Sequence, residues 1–207
     1  MTRFVTLPTQ DMSTEEAYRL LCGCVTPRPV AWITTQSADG RVNAAPFSSY
    51  NYVAHSPPMV AINIGSRAGE LKDTARNIRE TGEFVVNVAT ESTLELVHAS
   101  GADYPPEIGE PEQLGIELVA STIVKPPRIL ATPVQMECRL EQMLPLGRGL
   151  NTLYIGEVVA FHLSDEIFDG RYVDTVAMRP ISRLGGPYYA GLGEIFHRPM
   201  LQAPPAR

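Results

Sequence analysis

The chain has 207 residues, 44% of them hydrophobic and 19% charged, and a formal net charge of −6. That size and composition suit one domain with a continuous core and exclude wholesale disorder. The acidic balance, with no long run of Lys or Arg, argues against a nucleic-acid or anionic-membrane partner, because both demand a concentrated basic face.

The N-terminus reads Met-Thr-Arg-Phe and then meets Pro8, Gln10 and Asp11. It carries no apolar signal-like stretch, and no run nears the roughly 18 apolar residues of a membrane span, so a cytoplasmic chain is expected. Residues 13–22 predict a short helix: Ser13 and Glu16 have capping-box spacing, Ala17, Leu20 and Leu21 form an apolar stripe, and Gly23 should end it. Cys22 and Cys24 lie one residue apart, and Cys138 makes three. An odd count at this spacing suits neither a disulfide framework nor a zinc site, and reads as reduced thiols.

From Val30 the pattern turns to strands. Val30–Thr35 is β-branched and aromatic, and Asp39-Gly40 signals a hairpin into Arg41–Phe47. Ser49–Ala54 and Met59–Ile64 follow, with a corner at Ser56-Pro57-Pro58, whose prolines cannot donate to a ladder. Residues 70–81 predict a helix with Leu71, Ala75 and Ile78 on one face and a stop at Gly82. Phe84–Ala89 alternates as a strand, and Ser92 and Glu95 are expected to cap a second helix reaching about Ser100. Residues 102–115, rich in proline and acid, predict an exposed excursion. Val134–Met143 and Thr152–His162 are the clearest late strands. The second is apolar on both faces, so something should cover it on both sides. The ordered core should span about 13–197, with residues 199–207 frayed. Many hairpin-linked strands with a few outer helices predict a mainly β domain over 1–207, an antiparallel barrel with α decorations.

The acid–base inventory is thin. His55, His98, His162 and His197 show no zinc spacing, and no G-x-S-x-G or G-x-G-x-x-G occurs. Glu15-Glu16 and Asp165-Glu166 suit a helix start and a turn better than a hydrolytic pair. One segment suits an anion: Ser66, Arg67, Lys72 and Thr74 gather hydroxyls and cations around a helix start, where unpaired N–H groups favour phosphate. The same residues would serve equally as solvated surface charge. Upstream, the polar strand edge Phe47-Ser48-Ser49-Tyr50-Asn51 could hydrogen-bond a flat heterocycle or form a plain polar turn.

Five ordered segments go further together: PRPVAWITT (27–35), NAAPFSSYNYVAHSPPMVAINI (43–64), KDTARNIRETGEFVVNV (72–88), LYIGEVVAFHL (153–163) and RPISRLGGPYY (179–189). Their series resembles the flavin-reductase-like FMN-binding split-barrel family, over residues 15 to 197. The resemblance implies a homodimeric antiparallel split β-barrel with one FMN per subunit near the dimer interface. It implies that Phe47, Ser48, Ser49, Tyr50 and Asn51 line the isoalloxazine and ribityl chain. Around the phosphate it implies Ser66, Arg67, Lys72, Asp73 and Thr74, with Asp73 orienting Lys72, Arg76 or the helix start rather than touching a dianion. Tyr188 and Tyr189 would approach the flavin. Trp32 reads as a core residue. The implied activity is hydride transfer from NADH or NADPH to FMN, with a monooxygenase or other redox protein as possible recipient; the alternatives are a flavoredoxin-like electron carrier and a flavin-storage protein. Some relatives carry a histidine where this chain has Asn151, which leaves the nicotinamide preference open.

Overall fold

Strand pairing far apart in sequence organises the chain. The computed structural model describes residues 2–66, 69–105, 107–148 and 151–199. In chain order the elements are α1 (Thr14–Cys24), β1 (Arg28–Pro29), β2 (Ala31–Gln36), β3 (Val42–Phe47), β4 (Tyr50–His55), β5 (Pro58–Gly65), α2 (Asp73–Thr81), β6 (Glu83–Val88), α3 (Leu94–Ala99), α4 (Glu110–Leu114), β7 (Leu118–Val119), β8 (Arg128–Ile129), β9 (Val134–Leu146), β10 (Asn151–Leu163), α5 (Thr175–Met178), β11 (Ser182–Arg183) and β12 (Tyr189–Ala190). Seven strands form one antiparallel sheet in the order β3-β2-β6-β9-β10-β5-β4, with small sheets β1-β11-β12 and β7-β8 beside it.

The two edge strands of the large sheet, β3 and β4, are consecutive in the chain and joined only by Ser48-Ser49. Laid flat, six inter-strand gaps would separate the edges by roughly 29 Å. Phe47 to Tyr50 can reach at most about 11 Å. The sheet must therefore curl until its edges approach, although β3 and β4 share no ladder.

Alternation along the strands then builds two cores. Ala31, Ile33, Ile62, Ile64, Phe84, Val86, Cys138 and Tyr154 face the inside of the curl, where α2 adds Ala75 and Ile78. Val30, Trp32 and Ala44 face outward and are covered by Val97 of α3, Ile116 and Ile129. Trp32 is fully buried in that second core, as its sequence context predicts. Gly82 ends α2 with a φ of 70°, the left-handed cap a glycine adopts without strain.

Three local expectations are refined. α1 carries the Ser13–Glu16 capping box but runs through Gly23 to Cys24, and none of its residues is buried. The box before α3 joins Thr90 to Thr93 rather than Ser92 to Glu95, and encloses a 3-10 turn at Glu91–Thr93. The proline- and acid-rich excursion is partly built in: α4 starts at Glu110, whose buried carboxylate accepts the Ala44 N–H at 3.0 Å. Burial pushes that carboxyl above the usual range against the pull of the Ala44 hydrogen bond.

The segment covering the outer face is pinned by buried polar groups. Asn87 Oδ1 accepts the Ile129 N–H at 2.9 Å, while its amide donates to the Trp32 carbonyl at 2.9 Å. Glu137, fully buried on β9, accepts the N–H groups of Thr122, Ile123 and Val124 at 2.7, 2.6 and 2.9 Å, and its Oε1 lies 2.6 Å from His162 Nε2.

Gly156, on the apolar strand β10, has a packing reason to lack a side chain. A Cβ there would lie within 2.6 Å of Phe84 Cε1 and closer still to Cζ. Phe84 is fully buried, so its ring can yield only by displacing packed neighbours. Gly156→Ala is expected to cost about 1–3 kcal/mol of stability, as overpacking does, read as a lowered urea midpoint with an unchanged m-value.

Candidate functional site

Three pieces of the chain meet where β3 passes into β4: the Ser48-Ser49 link, the start of α2, and the small sheet β1-β11-β12. The strand-edge residues divide by direction. Phe47 is buried against the inner core, and Tyr50 packs on that core too, where burial pushes its phenol far above the usual range. Ser49 spends its carbonyl on the Asn63 N–H at 2.8 Å. Asn51 is exposed, and its Oδ1 accepts the neighbouring Tyr52 N–H at 2.9 Å.

At the start of α2 the N-cap position is Lys72, which makes no side-chain cap. An ammonium has no acceptor to offer, so the first-turn N–H groups meet no capping side chain. Asp73 is ion-paired with Arg76, which also donates to the Leu71 carbonyl at 3.2 Å. That is one of the three roles the sequence leaves open for Asp73. The Thr74 hydroxyl is buried and accepts from Asn43 Nδ2 at 2.9 Å, in a network where Asn43 and Asn77 both donate to Thr35 Oγ1. Its oxygen is thereby engaged, with the hydroxyl proton left to give. Ser66 is half-buried just beyond β5. Arg67 lies outside the described residues. Lys72 also reaches the strand edge: its Nζ stands 5.8 Å from the centroid of the Phe47 ring.

On the other side of Ser48 opens a cleft of about 780 Å³, whose lining includes Phe47, Ser48, Arg28, His98, Arg183 and Tyr189. Tyr189 of β12 sits under Arg183, whose Cζ is 4.5 Å from the ring centroid, and meets His98 edge-on at 6.0 Å. Tyr188 is outside this lining and exposed to 67%. Thus Phe47, Ser48 and Tyr189 share one cleft, whereas Lys72, Asp73 and Thr74 gather at the helix start beyond Phe47.

Along with Arg183 and His98, Arg28 is one residue that sequence reasoning missed. Its Nε donates to Ser48 Oγ at 3.4 Å, and its terminal nitrogens donate to the carbonyls of Cys22, Val25 and Leu184. It thereby ties the last turn of α1 to the β3–β4 link and to the chain before β12. A cation among the last carbonyls of a helix also complements its dipole. Three of its four acceptors are backbone carbonyls, one of them 156 residues away, and no side-chain spacing announces them.

A profile of the flavin reductase like domain matches residues 23–177. The chain belongs to this flavin reductase-like family. Bacillus subtilis YwrF is 42% identical over 192 residues, which is 90% of this chain and 94% of that protein. Nitrilotriacetate monooxygenase component B from Bacillus cereus superposes with a TM-score of 0.92 at 35% identity, covering 96% of this chain and all of its own. The 2-nitrobenzoate 2-nitroreductase NbaA of Pseudomonas fluorescens gives 0.85 at 32% identity, with 97% of each chain covered. An oxidoreductase built to use a flavin is the common ground of the family. Among the described residues no helix is long and apolar enough to cross a membrane, and no three metal-ligating side chains are gathered.

Proposed function

We propose that this flavin reductase-like chain is a cytoplasmic FMN-binding enzyme that oxidises NADH or NADPH, working as a homodimeric split barrel with one domain per subunit. The observation that carries the reading is the uncapped start of α2, with Lys72 at its N-cap and its ammonium over Phe47. Orphan N–H groups, a helix dipole and a cation make a phosphate site, and the aromatic strand edge beside it suits a flat ring. In this reading Ser66, Arg67, Lys72 and Thr74 hold the phosphate, while Asp73 fixes Arg76 at its flank. Phe47, Ser48, Ser49, Tyr50 and Asn51 hold the ring system and ribityl chain, the inward-facing Tyr50 through its backbone. Tyr189, and Tyr188 beyond it, border the outer face. Bound FMN supplies the ring that accepts hydride; the chain's part is to orient two ring systems and keep water off one face.

The exposed apolar surface supports a second copy. Tyr18 and Leu21 on α1, Tyr52 and Val53 on β4, and Met143 and Leu146 on β9 are all exposed in the single chain. Covering these side chains with a second copy would take their apolar area out of water. Resemblance to a monooxygenase component supports a redox partner downstream.

The test is a visible spectrum of the purified protein, light scattering at micromolar concentration, and NADH and NADPH oxidation with and without added FMN. A dimer that oxidises one nicotinamide in an FMN-dependent way is expected. A flavin-loaded protein inert to both nicotinamides, yet reduced by a redox protein, would replace the reductase with an electron carrier. A monomer would remove the interfacial site.

A further inference from the structure

Besides Arg19, which is paired with Glu15 at 3.8 Å, the cleft beside Ser48 carries two arginine charges that no carboxylate among the described residues meets. Arg28 and Arg183 both line it, in a protein whose net charge is −6. All their hydrogen bonds go to neutral oxygens. Arg28 bonds the Ser48 hydroxyl and three carbonyls, while Arg183 bonds the Tyr189 hydroxyl at 2.5 Å and the Gly186 carbonyl at 3.0 Å. Among the described residues no carboxylate is ion-paired with either, and no Asp or Glu lines the cleft.

The two arginines differ in what they have left to give. A guanidinium has five N–H groups. Arg28 engages four of them, so it acts as a clamp whose charge remains. Arg183 engages two, so three are available, and stacking on Tyr189 at 4.5 Å holds its plane. The walls around it are ring-bearing: Phe47, Tyr18 and Tyr189, with Pro46 beside them. Aromatic walls with one fixed guanidinium are the chemistry that selects a planar acid over a neutral analogue.

The geometry points to a ligand site in this cleft for a small aromatic carboxylate, its anionic group on Arg183 and its ring among Phe47, Tyr18 and Tyr189. That such a ligand would lie beside a flavin rests on the function proposed above; the anion site itself does not.

Calorimetric titration of the full-length protein with benzoate and with benzamide tests this, each without and with saturating FMN. Benzoate is expected to bind at least tenfold more tightly than its neutral isostere, and to weaken as salt rises. Arg183→Gln should weaken benzoate at least tenfold and leave benzamide unchanged, and Arg183→Lys should recover part of the preference. Equal binding of benzoate and benzamide to the wild type would overturn the site, as would an Arg183→Gln protein that keeps the preference. A lysine variant no better than the glutamine variant would show that charge is not what matters, with the same consequence. FMN affinity lost in Arg183→Gln but kept in Lys72→Ala would place FMN's own phosphate in this cleft and also overturn it. Benzoate binding in a protein that takes up no FMN would sustain the anion site while removing the flavin assignment.

Discussion

Glu137→Ala is expected to lower the unfolding free energy by on the order of 3 kcal/mol, a large share of a typical domain's margin. The carboxylate is fully buried and accepts three backbone N–H groups from residues 122–124, with the His162 ring at its fourth position. Removing it leaves those donors facing a cavity and releases the segment that covers the outer face of β9. Glu137→Gln keeps the volume but turns an NH2 toward groups that themselves donate, so it should fall short of full rescue. Burial raises this carboxyl's pKa, but the N–H groups of Thr122, Val124 and Ile123, with His162, outweigh it and hold the value near 2. The ordinary value is 4.5, so the unfolded chain binds the proton first. The contribution is therefore complete above about pH 5 and is lost as pH falls towards 2. Urea midpoints of wild type and Glu137→Gln, at matched protein concentration, should converge over that interval. A gap unchanged between pH 6 and pH 3 would assign the loss to packing instead.

Lys72→Ala is expected to weaken FMN binding by about thirtyfold, the roughly 2 kcal/mol of one charge-assisted hydrogen bond. Lys72 is exposed and caps nothing, so the fold should survive with its stability changed by less than about 0.5 kcal/mol. Asp73→Asn is the matched control. It breaks the pair with Arg76 and should alter FMN affinity far less, because Asp73 does not face the ligand in the proposed arrangement. A flavin titration in which Lys72→Ala matches the wild type would remove the phosphate assignment, and with it the observation on which the proposed function stands.

Local signals were the legible ones. The Ser13–Glu16 box, the Asp39-Gly40 turn and the Gly82 stop each involve residues within three or four positions, so the sequence spacing is itself the geometry. Alternation in β2 placed Ile33 and Trp32 on opposite faces, and both are fully buried because each face meets its own core. What escaped reading is the polar interior. Glu110 and Glu137 look like surface acids in the sequence, since their partners are backbone N–H groups of segments that become neighbours only after the sheet curls. Arg28 is hidden for the same reason. At the candidate site, the hydroxyls and cations of 66–74 were readable as an anion site or as surface charge. The contact of Lys72 with Phe47 brings the helix start to the strand edge, and the flavin titration of Lys72→Ala decides between the two readings.

The two-residue link between the edge strands also bears on how fast the chain can fold. Closing the curl at Ser48-Ser49 costs almost nothing, because those ends never separate. The interior ladders are the opposite: residues 59–65 pair with residues 151–157, and residues 83–87 with residues 135–139. Each must close a loop of tens of residues before its first hydrogen bond forms, and that entropy is spent ahead of any return. Such high contact order places folding in the millisecond-to-second regime, with the hairpins β2–β3 and β4–β5 forming early and waiting on β9 and β10. During that wait β5 is an unpaired apolar edge, so the late strands guard the nascent chain against association with its neighbours.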